Sequence, residues 1–145
     1  VSEGNTKVVL VQLGSPKSPS KNDVRSYLKQ FLSDPRVVDI NPWLWKIILN
    51  LFILPFRPKR SAKLYSRIWD GDNFPLITNT EKFSNKIRQK LLSTNIEVNH
   101  AFLLSKPSIS NVVDAWEKDE NPATHLKVIP MFPQYSEATT ASGID

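Results

Sequence analysis

The chain has 145 residues, 40% hydrophobic and 23% charged, enough to bury a core as one domain or as half of a two-domain enzyme. It has no cysteine, which excludes disulfides, thiolate catalysis and Cys-based zinc sites within it and is compatible with a reducing compartment. The two histidines, His100 and His125, lack an HExxH or carboxylate-rich setting, so a self-contained metal site is not expected.

The net charge of +5 is uneven: Arg57, Lys59, Arg60, Lys63 and Arg67 crowd into one short segment. Charge alone leaves nucleic acid, an acidic membrane surface and an anionic small molecule all open as partners. Residues 1–10 show no charged-then-apolar leader pattern, so the expectation is a cytoplasmic chain.

Residues 7–13 (KVVLVQL) form a short β-branched apolar run stopped by Gly14 and Pro16, as in a central parallel strand buried on both faces. Ser20 and Asp23 predict the N-terminus of a helix that puts Val24, Tyr27, Leu28, Phe31 and Leu32 on one side and ends before Pro35. Asn41-Pro42 predicts a second start, with Asn as cap and Pro at the first helical position.

The stretch 43–56, with Trp43 at one end and Phe56 at the other, is interrupted only by Lys46, Asn50 and Pro55. It is too short to span a bilayer, which needs about 20 apolar residues. Core or cavity-lip packing explains it, and so does a helix lying in a membrane interface beside the basic cluster. Pro58 then opens a basic helix whose apolar stripe is Ala62, Tyr65, Ile68 and Trp69, and residues 70–75 read as a turn.

Thr78 and Glu81 predict a capping box for a helix carrying Phe83, Ile87, Leu91 and Leu92. Ile96, Val98, His100 and Phe102 alternate as in a strand, which makes His100 a satisfied core histidine rather than a ligand. Pro107-Ser108 starts a helix with Ile109, Val112, Val113 and Trp116 inward. A polar connector, 118–124, leads to the last strand, 125–132, whose run from Val128 to Phe132 looks buried.

That strand breaks into Pro133-Gln134-Tyr135-Ser136, followed by Glu137, Thr139, Thr140 and Ser142. A polar, aromatic loop at the carboxyl end of a parallel strand is a binding-loop candidate, although an ordinary strand-to-helix connection has the same composition. The order of elements is that of an α/β fold, an open parallel sheet flanked by helices, with a helical insert over about 41–69. With four glycines the chain carries neither a dinucleotide fingerprint nor a P-loop, and Ser136 lacks a nucleophile-elbow setting.

Three segments together resemble the N-terminal half of ferrochelatase, the enzyme that inserts ferrous iron into a porphyrin in haem synthesis. They are Leu10-Val-Gln-Leu-Gly-Ser-Pro16 with Tyr27-Leu-Lys-Gln-Phe-Leu-Ser-Asp-Pro-Arg36, then Ile53 to Ala62 with Tyr65 to Trp69 and Pro75-Leu76, then Pro133-Gln-Tyr-Ser136 with Thr139-Thr140. The resemblance implies a chelatase-like, flavodoxin-like half-domain over 1–145 and a second domain outside this chain that holds the catalytic His and Glu. It implies no catalytic residue and no metal ligand within the chain, no cofactor bound by the chain alone, and ferrous iron and porphyrin as substrates.

The same resemblance sets Leu13 against the ring face, Arg57 and Tyr65 at polar contacts to the substrate, and Tyr135 and Ser136 in the loop beneath the macrocycle. It makes porphyrin the partner, adds peripheral membrane contact through the lip between Trp43 and Phe56, and gives no role to nucleic acid. The chain departs from the family pattern at Gln12, where Asn is usual, and at Asn73-Phe74, where Gly-Ser precedes Pro. Leu103 and Leu104 stand where an Arg–Tyr pair is common. Those departures keep a non-catalytic or divergent tetrapyrrole-binding relative as the alternative, beside a small α/β adaptor that docks on acidic membrane.

Overall fold

A computed structural model describes residues 5–120 and 123–141. Ser142, the last hydroxyl of the polar loop, lies outside the described residues.

The central strand is β1 (Thr6–Gln12), whose inner five residues are all buried. It is flanked in parallel by β2 (Ile96–Phe102) and β3 (His125–Pro130), giving the order β2-β1-β3. Leu10 lies opposite His100 on one side and Ile129 on the other. Because side chains alternate along a strand, β1 feeds two cores at once. Val8 and Leu10 meet Val98 and the α4 face (Pro75–Lys90, through Ile87 and Leu91). Val9 and Val11 meet Ala101 and the α5 face (Ile109–Glu117, through Val112 and Trp116). Helices thus cover both faces, and the continuous apolar run that predicted a doubly buried strand is explained.

A third core joins α1 (Lys21–Leu32) to the insertion. Val24, Tyr27, Leu28 and Leu32 pack against Leu49 and Leu54, with Ile53, Ala62 and Tyr65 around them. The insertion is α2 (Pro42–Ile48), a π-helical turn (Leu49–Ile53) that continues it, and α3 (Arg57–Tyr65). Its start is local chemistry: Asn41 Oδ1 accepts from Trp43 N–H at 3.0 Å, and Pro42 has no N–H to leave unpaired. Trp45 anchors it to α1 by donating Nε1–H to the Leu32 carbonyl at 2.6 Å. Only one side of the insertion is buried; Trp43 is 73%, Phe52 66% and Phe56 74% exposed.

Four sequence expectations are corrected. First, α4 begins at Pro75, with extended Phe74 at its cap, so Thr78 sits inside the helix and bonds back to the Phe74 carbonyl. Proline preset for the first turn and the burial of the Phe74 ring against Tyr65 and Trp69 outweigh the Thr78–Glu81 capping box. The inward side of α4 carries Thr80, Ser84 and Ile87, with Leu91 at its C-cap packed beside them, while Phe83 and, beyond the helix, Leu92 are exposed.

Second, α3 ends at Tyr65, which leaves Ile68 outside the helix and exposed. Third, β3 is an edge strand, paired on one side only among the described residues, so Leu126, Val128 and Ile129 are exposed rather than buried. Fourth, His100 packs edge-on to Phe102, but its buried Nδ1 has no hydrogen-bond partner among the described residues. It is a core histidine left unsatisfied.

Candidate functional site

The carboxyl ends of the parallel strands are where an open α/β sheet gathers its loops. Pairing between β1 and β2 runs past the strands themselves. Leu103 N–H donates to the Gln12 carbonyl at 3.0 Å and Leu104 N–H to the Leu13 carbonyl at 2.9 Å. Gln12 closes the third side by donating Nε2–H to the Met131 carbonyl at 3.3 Å. Leu13, Leu103 and Leu104 are thereby collected at one place above the sheet.

Beyond them the two loops are clamped. Ser15 N–H donates to Ser105 Oγ at 2.8 Å, and Ser105 Oγ–H donates to the Ser15 carbonyl at 2.7 Å. Gly14 makes the clamp reachable with a φ of 97°, a region that favours glycine. Tyr27 donates its hydroxyl to the Gly14 carbonyl from below at 3.4 Å.

Two adjoining cavities open here. One, of 200 Å³, is lined by Leu13, Gln30, Phe31, Asp34, Leu103, Leu104 and Ala138. The other, of 590 Å³, shares Gln30, Leu103 and Leu104 with it and adds Ser15, Pro16, Lys17, Asn73, Ile77, Ser105, Lys106 and Ser108. A third cavity, of 620 Å³, lies along the insertion between Phe52, Ile53, Phe56, Arg57, Arg60, Ser61 and Leu64.

The residues singled out from sequence are therefore spread over the molecule. Leu13 lines the 200 Å³ cavity, and Ala138, from the turn after Ser136, reaches the same wall. Tyr135 is 71% exposed and lines none of the three cavities described, nor does Ser136. The Ser136 backbone instead organises the loop: its carbonyl accepts from Thr139 and Thr140 N–H, opening the π-helical turn Glu137–Ala141. Arg36 Nη1 holds the far end of that turn through the Ala141 carbonyl at 3.0 Å.

Arg57 is exposed and shares its cavity with Arg60, so the basic cluster presents two guanidinium groups to one opening. Tyr65 lies apart from them in an aromatic stack, edge-on to Tyr27 at 6.1 Å and to Phe74 at 5.4 Å. Burial raises the pKa of both phenols above the ordinary 10.0, and Tyr27 is shifted further than Tyr65. Both remain protonated, as hydrogen-bonding groups rather than bases.

Sequence reasoning missed Ser15, Lys17, Gln30, Ser105 and Lys106. Their signal was position: each except Gln30 sits in the first few residues after a parallel strand. Among the described residues no three His, Cys, Asp or Glu side chains come together to hold a metal ion. No helix among them is long and apolar enough to cross a membrane.

The family model described as Ferrochelatase matches residues 5–145. Over 140 residues the chain is 46% identical to the coproporphyrin III ferrochelatase of Enterococcus faecalis, covering 97% of this chain and 44% of that protein. It is 42% identical over 141 residues to the ferrochelatase of Psychrobacter arcticus, covering 95% of this chain and 41% of that one. The ferrochelatase of Idiomarina loihiensis is 43% identical over 141 residues, with 95% and 38% covered. The chain spans about two fifths of the length of these curated relatives. With the family model matching nearly the whole chain and curated relatives at 42–46% identity, the chain belongs to the ferrochelatase family.

Proposed function

We propose that the protein inserts ferrous iron into a porphyrin in haem synthesis, with this chain forming the N-terminal wall of the porphyrin slot. The observation that carries the reading is the family match over residues 5–145, together with relatives named for that reaction. The chemistry of the site supports it. A porphyrin is a flat apolar disc with anionic carboxylates, and it needs an apolar slot with cations at the rim. Leu13, Leu103 and Leu104 supply apolar surface, and Arg57 and Arg60 supply positive charge at the lip. Holding the ring away from planarity exposes its pyrrole nitrogens to metal, a distortion offset by contacts far from the nitrogens. On this reading the acid–base groups that take the pyrrole protons come from a second domain.

Metalloporphyrin formation by the full-length protein, followed by absorbance with ferrous iron and either a two- or a four-carboxylate porphyrin, tests the reading. Sustained turnover is expected. Tight porphyrin binding without turnover would favour the second reading, a non-catalytic tetrapyrrole binder, for which the aliphatic pair Leu103 and Leu104 is the motive.

The exposed side of the lip supports peripheral membrane contact by a cytoplasmic protein. Trp43, Leu44, Leu51, Phe52 and Phe56 face outward beside Arg57, Lys59, Arg60 and Lys63, the combination that suits an interface of anionic headgroups and acyl chains. Co-sedimentation with anionic but not neutral vesicles is the expected result.

A further inference from the structure

We propose that Lys17 and Lys106 form a second carboxylate-binding rim, so that the slot is built for a porphyrin with carboxylates on more than one edge. The inference rests on the porphyrin reading above and extends it to residues that nothing in the sequence pattern singled out.

The 590 Å³ cavity between the loops after β1 and β2 falls within the range of small-molecule sites. Its apolar lining is Pro16, Ile77, Leu103 and Leu104, beside the neutral polar Ser15, Gln30, Asn73, Ser105 and Ser108. Its charged lining residues are Lys17 and Lys106, and no acid lines it. Among the described residues neither lysine pairs with a carboxylate. Apolar lining beside two unneutralised ammonium groups suits a ligand of matching polarity, apolar in the body and anionic at the edge.

The lysines are also well placed to act together. Lys17 lies two residues after Ser15 and Lys106 one after Ser105, and those serines are joined by two hydrogen bonds. The clamp fixes the backbone from which both ammonium groups project, which lowers the ordering cost of binding. The cavity continues into the one that holds Leu13 through Gln30, Leu103 and Leu104, whereas Arg57 and Arg60 stand at a separate opening on the lip. A ring seated on the leucines can meet positive charge at two edges, and a ring with carboxylates on one edge uses only one of them.

The test is fluorescence-quenching titration of the full-length protein with coproporphyrin III and, in the same detergent, with its tetramethyl ester. The Lys17→Gln/Lys106→Gln variant is expected to raise Kd for the acid roughly tenfold, as two charge-assisted contacts at a partly exposed rim would do. Lys17→Arg/Lys106→Arg is expected to retain most of the wild-type affinity, and the ester is expected to bind all three proteins alike. An unchanged Kd for the acid in the Gln variant, or equal losses on acid and ester, would overturn the lysine assignment while leaving the porphyrin reading intact. Failure of the wild-type protein to bind either porphyrin would overturn both.

Discussion

Gly14 and Ser105 approach so closely that a Cβ added to Gly14 would run into the Ser105 side chain. Ser105 is held there by its bonds to both the N–H and the carbonyl of Ser15. The contact sews the loop after β1 to the loop after β2 and sets the shape of the cavity between them. Gly14→Ala should cost about 1–3 kcal/mol, from a strained positive φ plus the displaced clamp. Urea unfolding measures it. Because the φ penalty stays, Ser105→Ala in the same background should restore only part of the loss; full restoration would show that the collision alone matters.

Lys7 lies at the other end of the sheet with its side chain wholly shielded, 2.6 Å from Asp119 Oδ2 and 3.5 Å from Glu97 Oε2. Burial by itself lowers its pKa, but the Asp119 hydrogen bond and the charges of Glu97 and Asp119 outweigh burial and hold it above 10.5. Stability from this pairing is present below the unfolded-state value and falls as pH rises through the folded-state one. Lys7→Met should therefore flatten the loss of stability seen above about pH 10.5. Thermal unfolding followed across that window checks it.

His100 works in the opposite sense. Burial holds its imidazole below the ordinary 6.5, Glu81 partly opposes that shift, and Arg88 adds to it. The folded state thus binds the proton less readily than the unfolded chain does, so stability should fall as pH drops below about 6.5. His100→Leu removes the titrating group and the unpartnered Nδ1 together. Denaturation midpoints at several acidic pH values should lose their slope in this variant relative to the parent.

On the lip, inside and outside should separate cleanly. Leu49 is buried against α1, and Leu49→Ala should cost about 2–5 kcal/mol by leaving a cavity. Trp43→Ser and Phe52→Ser alter exposed positions and should each stay within about 0.5 kcal/mol of the parent. The same two changes should abolish co-sedimentation with anionic vesicles. Unchanged sedimentation would remove the lip from any membrane role.

Residues 1–145 taken alone should not form metalloporphyrin above the uncatalysed rate. The two histidines stand away from the strand-end cavities: His100 faces α4 and His125 opens β3 at its amino end. The phenols of Tyr27 and Tyr65 are held protonated. Of the acids, Asp34 lines the Leu13 cavity and already accepts from Arg36 N–H at 2.9 Å, and Glu137 precedes the lining residue Ala138; among the described residues neither sits in a cluster suited to taking a pyrrole proton. Sustained turnover by residues 1–145 would overturn this expectation, and Asp34→Asn and Glu137→Gln would then show which carboxylate carries it.

Much of this molecule is written in short-range sequence. The run at 7–13, the Ser20 and Asn41 caps, the proline starts and the Ser108 helix are local signals, and β1, α1, α2 and α5 follow them closely. The family, too, was legible, because three separated segments keep its residues in order. Tertiary structure decided the rest. Phe74, packed against Tyr65 and Trp69, moved the start of α4, because a buried ring outweighs one capping hydrogen bond, and packing on the sheet left Phe83 of that helix exposed. Edge or centre could not be read from β3, since position in a sheet depends on what pairs beside it. The site divides in the same way. Leu13 and Arg57 belong to recognisable segments, but for Lys17 and Lys106 to line one cavity, residues about ninety positions apart must be brought together by parallel pairing of β1 with β2. No local pattern encodes that encounter, because the hydrogen bonds that create it run between strands and not along the chain.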